Sequence, residues 1–127
     1  MPDTTGTTTA TTTWRDKHSG LRGHELMTKE VGDTIPALYE NEHVTDYDSV
    51  LAPAKLFSPY GNWTWFITEW DAETGTCFGL VQGFETELGY FSLNELAEAT
   101  VFGCVPAVER DLYWQPTTIG EIRRQSR

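Results

Sequence analysis

The sequence predicts an α+β domain: an antiparallel sheet of four to five strands with two or three short helices, preceded by a disordered amino-terminal tail. Three observations lead there. Aromatic and β-branched residues gather in three consecutive runs, Asn62–Trp70, Thr76–Phe84 and Leu88–Leu93, joined by short polar connections, which is the pattern of a meander. The tetrad Ser92-Leu93-Asn94-Glu95 is a capping box, in which the serine hydroxyl accepts from the Glu95 amide while the glutamate reaches back, so a helix follows the strands. The opening segment, Met1–Thr13, is dominated by threonine and buries too little apolar surface to offset the entropy of ordering it.

The elements follow in order. Trp14–Gly23 mixes charge and glycine around one tryptophan and reads as a loosely docked extension; a functional reading makes Trp14, Arg15, Lys17 and Arg22 an anchoring motif. Residues 1–23 are thus a disordered Thr-rich extension, and 24–127 form the single domain. Helical signals run from about His24 to Val31, where Leu26, Met27 and Glu30-Val31 have the spacing of a short amphipathic helix that Gly32 ends. Ile35–Tyr39 supplies apolar anchors around a proline, and Glu40, Glu42, Asp46 and Asp48 mark a solvated loop. Ala54–Ser58 is a strand closed by the turn Pro59-Tyr60-Gly61.

If the loop Asp71–Gly75 sets the register of the next hairpin, Trp65 faces Val81 and Trp63 faces Gly83, with large rings covering glycine backbone. Strand parity then places Glu69 on the apolar face with Trp63, Trp65 and Ile67. Thr64, Phe66, Thr68 and Trp70 form the outer face, where Trp70 or Tyr60 is an exposed interface anchor. Glu85-Thr86-Glu87 makes the next turn. Val108–Trp114 alternates as a fifth strand, and Thr117 or Thr118 caps a terminal helix with a basic end. The amino-terminal helix and the helix after Ser92 pack on one face of the sheet.

At 127 residues the chain holds one domain. Its net charge of −10 is unevenly spread: Glu25–Trp114 holds 16 acidic residues against Lys29, Lys55 and Arg110, a net of −13. Such a body repels nucleic acid and anionic lipid, and it favours a partner protein with a basic surface. An aromatic stacking platform for single strands needs a positive groove that this body lacks, so core packing explains Trp63, Trp65, Phe66, Trp70, Tyr90 and Phe91. No run reaches the roughly 20 apolar residues of a membrane-spanning helix and no signal peptide opens the chain, which predicts a cytoplasmic protein. Cys77 and Cys104 read as buried free thiols.

Reaction chemistry finds little support. His18, His24 and His43 lie outside the aromatic core and away from the cysteines, so neither a metal site nor a cofactor is expected. There is no nucleophile elbow and no phosphate-cradling loop, and Ser58, Ser92 and Cys104 have no histidine nearby. The strongest carboxylate cluster is Glu69, Asp71, Glu73, Glu85 and Glu87. A buried Glu69 needs a cation or donors, and Arg110 is the candidate. Glu69 with Glu85 or Glu87, and with Arg110, would form an acid/base pair or a hard-metal site of a small hydrolase; the plainer reading is a strand-end carboxylate or a structural ion pair.

Several ordered motifs carry a family resemblance. Lys55-Leu56-Phe57-Ser58-Pro59, Asn62-Trp63-Thr64-Trp65, Phe78-Gly79-Leu80-Val81, Gly83 through Leu96, and Glu109-Arg110-Asp111-Leu112-Tyr113 together resemble the domain-of-unknown-function family 2958 over about Leu26–Ile122. The resemblance implies a small protein of bacteria or phages, of the kind frequent on plasmids and other mobile elements, with no activity or catalytic residue to carry over. It also implies a domain start near Met27-Thr28-Lys29-Glu30, with an extension before it.

The leading expectation is a non-enzymatic interaction protein of a mobile genetic element. In its specific form it inhibits a host nucleic-acid-acting defence system, of the CRISPR-effector or restriction type, by imitating phosphate. Glu40, Glu42, Asp46, Asp48, Asp71, Glu73, Glu85 and Glu87 would carry the binding, with Trp70 as an anchor. The hydrolase of Glu69, Glu85 and Arg110 is the alternative, and a homo-oligomeric structural subunit is a third reading.

Overall fold

Three seven-residue strands, β3 (Thr64–Trp70), β4 (Thr76–Gln82) and β5 (Thr86–Ser92), form the antiparallel meander at the centre of the computed structural model, which describes residues 16–126. Before them come α1 (Ser19–Arg22), α2 (Lys29–Gly32), a 3-10 turn at Tyr47–Ser49, β1 (Leu51–Ala52) and β2 (Ala54–Phe57). After them come α3 (Leu93–Glu98), β6 (Thr100–Val101), β7 (Val105–Pro106), β8 (Glu109–Arg110), β9 (Thr117–Thr118) and α4 (Ile119–Gln125). The main sheet has the order β5-β4-β3-β2-β8, and β1–β9 and β6–β7 are separate two-stranded ribbons. The mixed α+β class and the five-stranded antiparallel sheet are those the sequence predicts.

Trp65 faces Val81, the pairing the sequence predicts, and the Trp63 ring lies over Gly83 so closely that any side chain there would collide with it. Nearer the Asp71–Gly75 turn the register slips. Ile67 faces Gly79 but Glu69 faces Phe78, so Thr68 is an extra, bulged residue. The bulge is satisfied internally: Thr68 Oγ1 donates to the Phe78 carbonyl at 3.0 Å and meets the Tyr47 hydroxyl at 2.7 Å.

One extra residue exchanges the two faces beyond it. Glu69 therefore leaves the Trp65–Ile67 face and joins Phe66 and Phe78. Trp70 crosses the other way into the core, opposite Cys77. The expected parity of Glu69, and the exposed Trp70 anchor, are both corrected by this bulge. The half-buried Trp70 lies on α2, its indole Nε1 donating to the Gly32 carbonyl at 3.1 Å. A Cβ at Gly32 would strike that indole, which requires glycine there.

Two cores sandwich the sheet rather than one. Leu26, Met27 and Ile35 from the amino-terminal region and Leu93 and Ala97 of α3 cover Leu56, Ile67 and Cys77 on one face. On the other, Ile119 and Ile122 of α4, with Tyr47 and Trp114, cover Ala52, Phe66 and Leu80. The terminal helix starts where expected, with Thr118 Oγ1 accepting from the Glu121 amide at 3.2 Å, but it also closes a face that the sequence reading left open.

Other boundaries move for local reasons. The helix expected over 24–31 is confined to Lys29–Gly32, capped by Thr28, because upstream the Leu26 amide donates to Asp16 at 2.8 Å. The fifth strand shortens to Glu109–Arg110, because Asp111 begins a turn and accepts the Tyr113 amide at 3.0 Å. Ser92 caps α3 as predicted, accepting from Glu95 N at 3.1 Å.

Residues 16–23, expected to be part of a loose extension, are docked. The Arg22 side chain is 0% exposed: it pairs with Asp16 at 2.6 Å, and its Nε donates to the Val108 carbonyl at 2.7 Å. Its Nη2 donates to the Ala97 carbonyl at 3.3 Å, so Arg22 is a structural staple and not an anchor offered to a partner. Of the rest of the predicted anchor, Lys17 is exposed, while Trp14 and Arg15, like the Thr-rich stretch, lie outside the described residues. Cys77 is buried as expected, whereas Cys104, in the β6–β7 turn, is exposed.

Candidate functional site

Glu69 is 5% exposed and takes its partners from backbone. Its Oε1 accepts the Tyr39 amide and its Oε2 the Asn41 amide, each at 2.9 Å. Two charge-assisted bonds from one loop answer the need for donors that the sequence reading assigned to Arg110. Arg110 sits across the sheet on β8, where its Nε donates to the Glu25 carbonyl at 3.1 Å. Glu85 lies in the turn after β4, about 13 Å of strand beyond Phe78, the residue facing Glu69. The three groups of the hydrolase reading do not converge.

The Glu69 latch instead shapes a surface. Tyr39 adopts a left-handed φ of 71°, unfavourable for a bulky residue, and is 59% exposed. It lines a cleft of about 260 Å³ with Glu42, Tyr47 and Tyr90. Burial pushes the Tyr47 hydroxyl up from its ordinary value, against the hydrogen bond with Thr68, and the Glu69 charge adds to the rise. The Tyr90 hydroxyl is raised by local desolvation, then by Tyr39, with smaller pushes from Glu69 and Glu42. Both shifts favour the neutral hydroxyls.

The acidic residues divide into two groups. Glu40 accepts the Ala37 amide at 3.2 Å, Asp46 the Asp48 amide at 3.1 Å and Asp71 the Glu73 amide at 2.9 Å. Asp48 lies 3.2 Å from Arg123 Nε. Glu42, Glu85 and Glu87 are exposed and take no ion-pair partner among the described residues. The three basic residues of the body are committed elsewhere. Lys29 pairs with Asp33 at 2.8 Å, Lys55 pairs with Asp111 at 3.7 Å and lies over the Trp114 ring, and Arg110 is held as described.

Glu85 and Glu87 rim a second cleft, of about 410 Å³, walled by Trp63, Phe84 and Val81 and floored by Gly89. Phe84 meets the Trp63 ring edge to face at 5.5 Å and is 95% exposed; Trp63 is backed by Trp65 at 6.1 Å. The sequence reading placed Phe84 within a strand. The signal against it was Gly83, which with Glu85 forms the turn that pushes the ring outward. Of the expected anchors, Tyr60 is 49% exposed and pairs with Phe102, while Trp70 lines a different cleft, of about 550 Å³, beside α2.

No group of three or more His, Cys, Asp or Glu placed to hold a metal ion occurs among the described residues. No helix among them is long and apolar enough to cross a membrane.

Fold and surface together define a small acidic α+β domain with aromatic clefts on both faces of its sheet. A family model described as a protein of unknown function, DUF2958, matches residues 26–120, and the chain belongs to that family. No curated protein matches the chain, and neither does any solved structure.

Proposed function

We propose that this chain is an acidic, non-enzymatic interaction protein that binds the basic surface of a partner protein through its own acidic surface. The observation that carries the reading is the division of charge: the body's lysines and arginines each have a partner within the chain, Lys29 in a surface pair, while Glu42, Glu85 and Glu87 stand uncommitted beside exposed aromatic rings. Carboxylates around aromatic anchors suit recognition of cationic side chains. In its specific form, the chain is the product of a mobile genetic element and blocks the basic nucleic-acid channel of a host defence enzyme. Glu40, Asp46, Asp48, Asp71 and Glu73 then extend the negative field around the contact.

The test is retention of host proteins on the immobilised chain. A basic nucleic-acid enzyme should be retained, released by high salt or by competing duplex DNA, and lost when Glu42, Glu85 and Glu87 are together replaced by lysine. Retention of only salt-insensitive partners, or of none, overturns the reading.

A further inference from the structure

β5 is the last strand of the main sheet, and among the described residues no strand pairs with its outer side. Seven residues of extended backbone therefore present unpaired amides and carbonyls. The two clefts flank this strand on opposite faces. Val81 faces Glu87, and with Trp65 opposite Val81 these residues share the face of the Trp63–Phe84 cleft. Phe78 faces Tyr90, on the side of the Tyr39–Glu42 cleft. Near the middle of the strand the position above Gly89 is open: a Cβ built there meets no atom within 4 Å.

A strand added to an exposed edge sends successive side chains to opposite faces. We infer that β5 is the docking edge for an extended, basic segment of a partner protein, which pairs with β5 as a sixth strand. One Arg or Lys of that segment lies over the Trp63–Phe84 rings beside Glu85 and Glu87. A neighbour of opposite parity lies in the Tyr39–Tyr90 cleft beside Glu42. Guanidinium and ammonium groups suit both places, because ring faces and carboxylates attract the same cation. Charge selects this occupant over the others that an open edge admits. A second copy of the chain brings its own net charge of −10 against the edge, and nucleic acid or an anionic membrane is repelled likewise.

The inference rests on the acidic-interaction reading and adds the binding mode. It is tested with the full chain and two acetylated heptapeptides in which adjacent arginine pairs are separated by single threonines, so that both strand faces carry arginine, one unmodified and one with every backbone amide N-methylated. Calorimetry and amide chemical shifts read the binding. The unmodified peptide should shift the amides of residues 86–92, and the N-methylated one should bind about tenfold more weakly, since charge is kept and strand pairing lost. Gly89→Leu fills open space, so it should melt as the parent does yet bind about tenfold more weakly. Glu85→Gln and Glu87→Gln should each weaken binding and flatten its salt dependence.

Equal binding of both peptides overturns strand addition and leaves the acidic reading intact. So does failure of both peptides while a folded basic protein still binds in a salt-sensitive way. Failure of all three removes both ideas. Unchanged affinity in the two glutamine variants assigns those carboxylates to protecting the edge from aggregation and overturns the inference, as does a mass that doubles with concentration while residues 86–92 shift.

Discussion

Glu69 and Tyr39 hold each other in positions that neither would adopt alone: the Tyr39 amide, on a backbone with φ 71°, donates at 2.9 Å to a carboxylate buried on the sheet. The carboxylate gains the donors that make its burial tolerable, and the loop gains a fixed turn that presents a tyrosine ring. Replacing Glu69 by Ala strands the amides of Tyr39 and Asn41. Urea unfolding should show a loss of about 1–3 kcal/mol, partial because both amides are only part-buried. The Tyr39 and Tyr90 ring signals should broaden in the variant. An unchanged unfolding midpoint would show that the latch is not structural.

Arg22 and Asp16 form an ion pair whose side chains are 0% and 7% exposed, with the guanidinium also bonded to two carbonyls. Removing one partner from such a pair leaves an uncompensated buried charge. Asp16→Ala should therefore cost about 3–5 kcal/mol by urea unfolding. A chain beginning at Asp16 should melt higher than one beginning at His24. Equal melting of the two shortened chains would return residues 16–23 to the status of an extension.

His24 supplies a pH dependence. Its Nε2 accepts the Arg110 amide at 3.0 Å, a role open only to the neutral ring. Burial first, then the charges of Arg110 and Arg22, lower its pKa from 6.5, against weaker raising effects of Glu109 and Asp16. The unfolded chain thus takes up the proton first as pH falls. The stabilisation is fully present above about pH 6.5 and is lost as pH drops from there through the lowered folded value. Unfolding midpoints followed downward from neutral pH should fall more steeply in the parent than in His24→Gln, whose amide oxygen accepts at every pH. Parallel profiles would remove His24 as the source.

The two thiols should differ in reactivity. Burial pushes the Cys77 thiol up to about 12, and the side chain is fully enclosed, whereas Cys104 lies in an exposed turn. Near neutral pH, iodoacetamide should label Cys104 in the folded chain and reach Cys77 only in denaturant, with peptide mapping as the readout. Labelling of Cys77 at the rate of Cys104 would show that the sheet opens there readily.

Turn chemistry and capping were legible because they are local. The Asp71–Gly75 hairpin and the Ser92 and Thr118 caps depend only on residues near in sequence, whereas the predicted Trp65–Val81 pairing, with the Trp63 ring over Gly83, holds because the Thr68 bulge offsets a one-residue shift at the turn. The acidic character of the body was legible for the same reason, since charge follows from composition. Legibility ended where a single residue broke a period. The Thr68 bulge exchanged the faces of Glu69 and Trp70, and with them the anchor and the carboxylate assigned to the site.

The sequence by itself determined the fold class, the meander, its caps and an excess of negative charge, because alternation, turn residues and ionisable groups are properties of short stretches. Tertiary structure alone decided which carboxylates remain uncommitted. Partners such as Asp16 with Arg22, or Glu69 with the amides of Tyr39 and Asn41, are chosen by burial, and an amide 28 residues away answers a buried charge as well as an arginine does. It also decided that β5 stays at the edge of the sheet with aromatic clefts on both faces, because strand order is set by how the two cores close around the sheet.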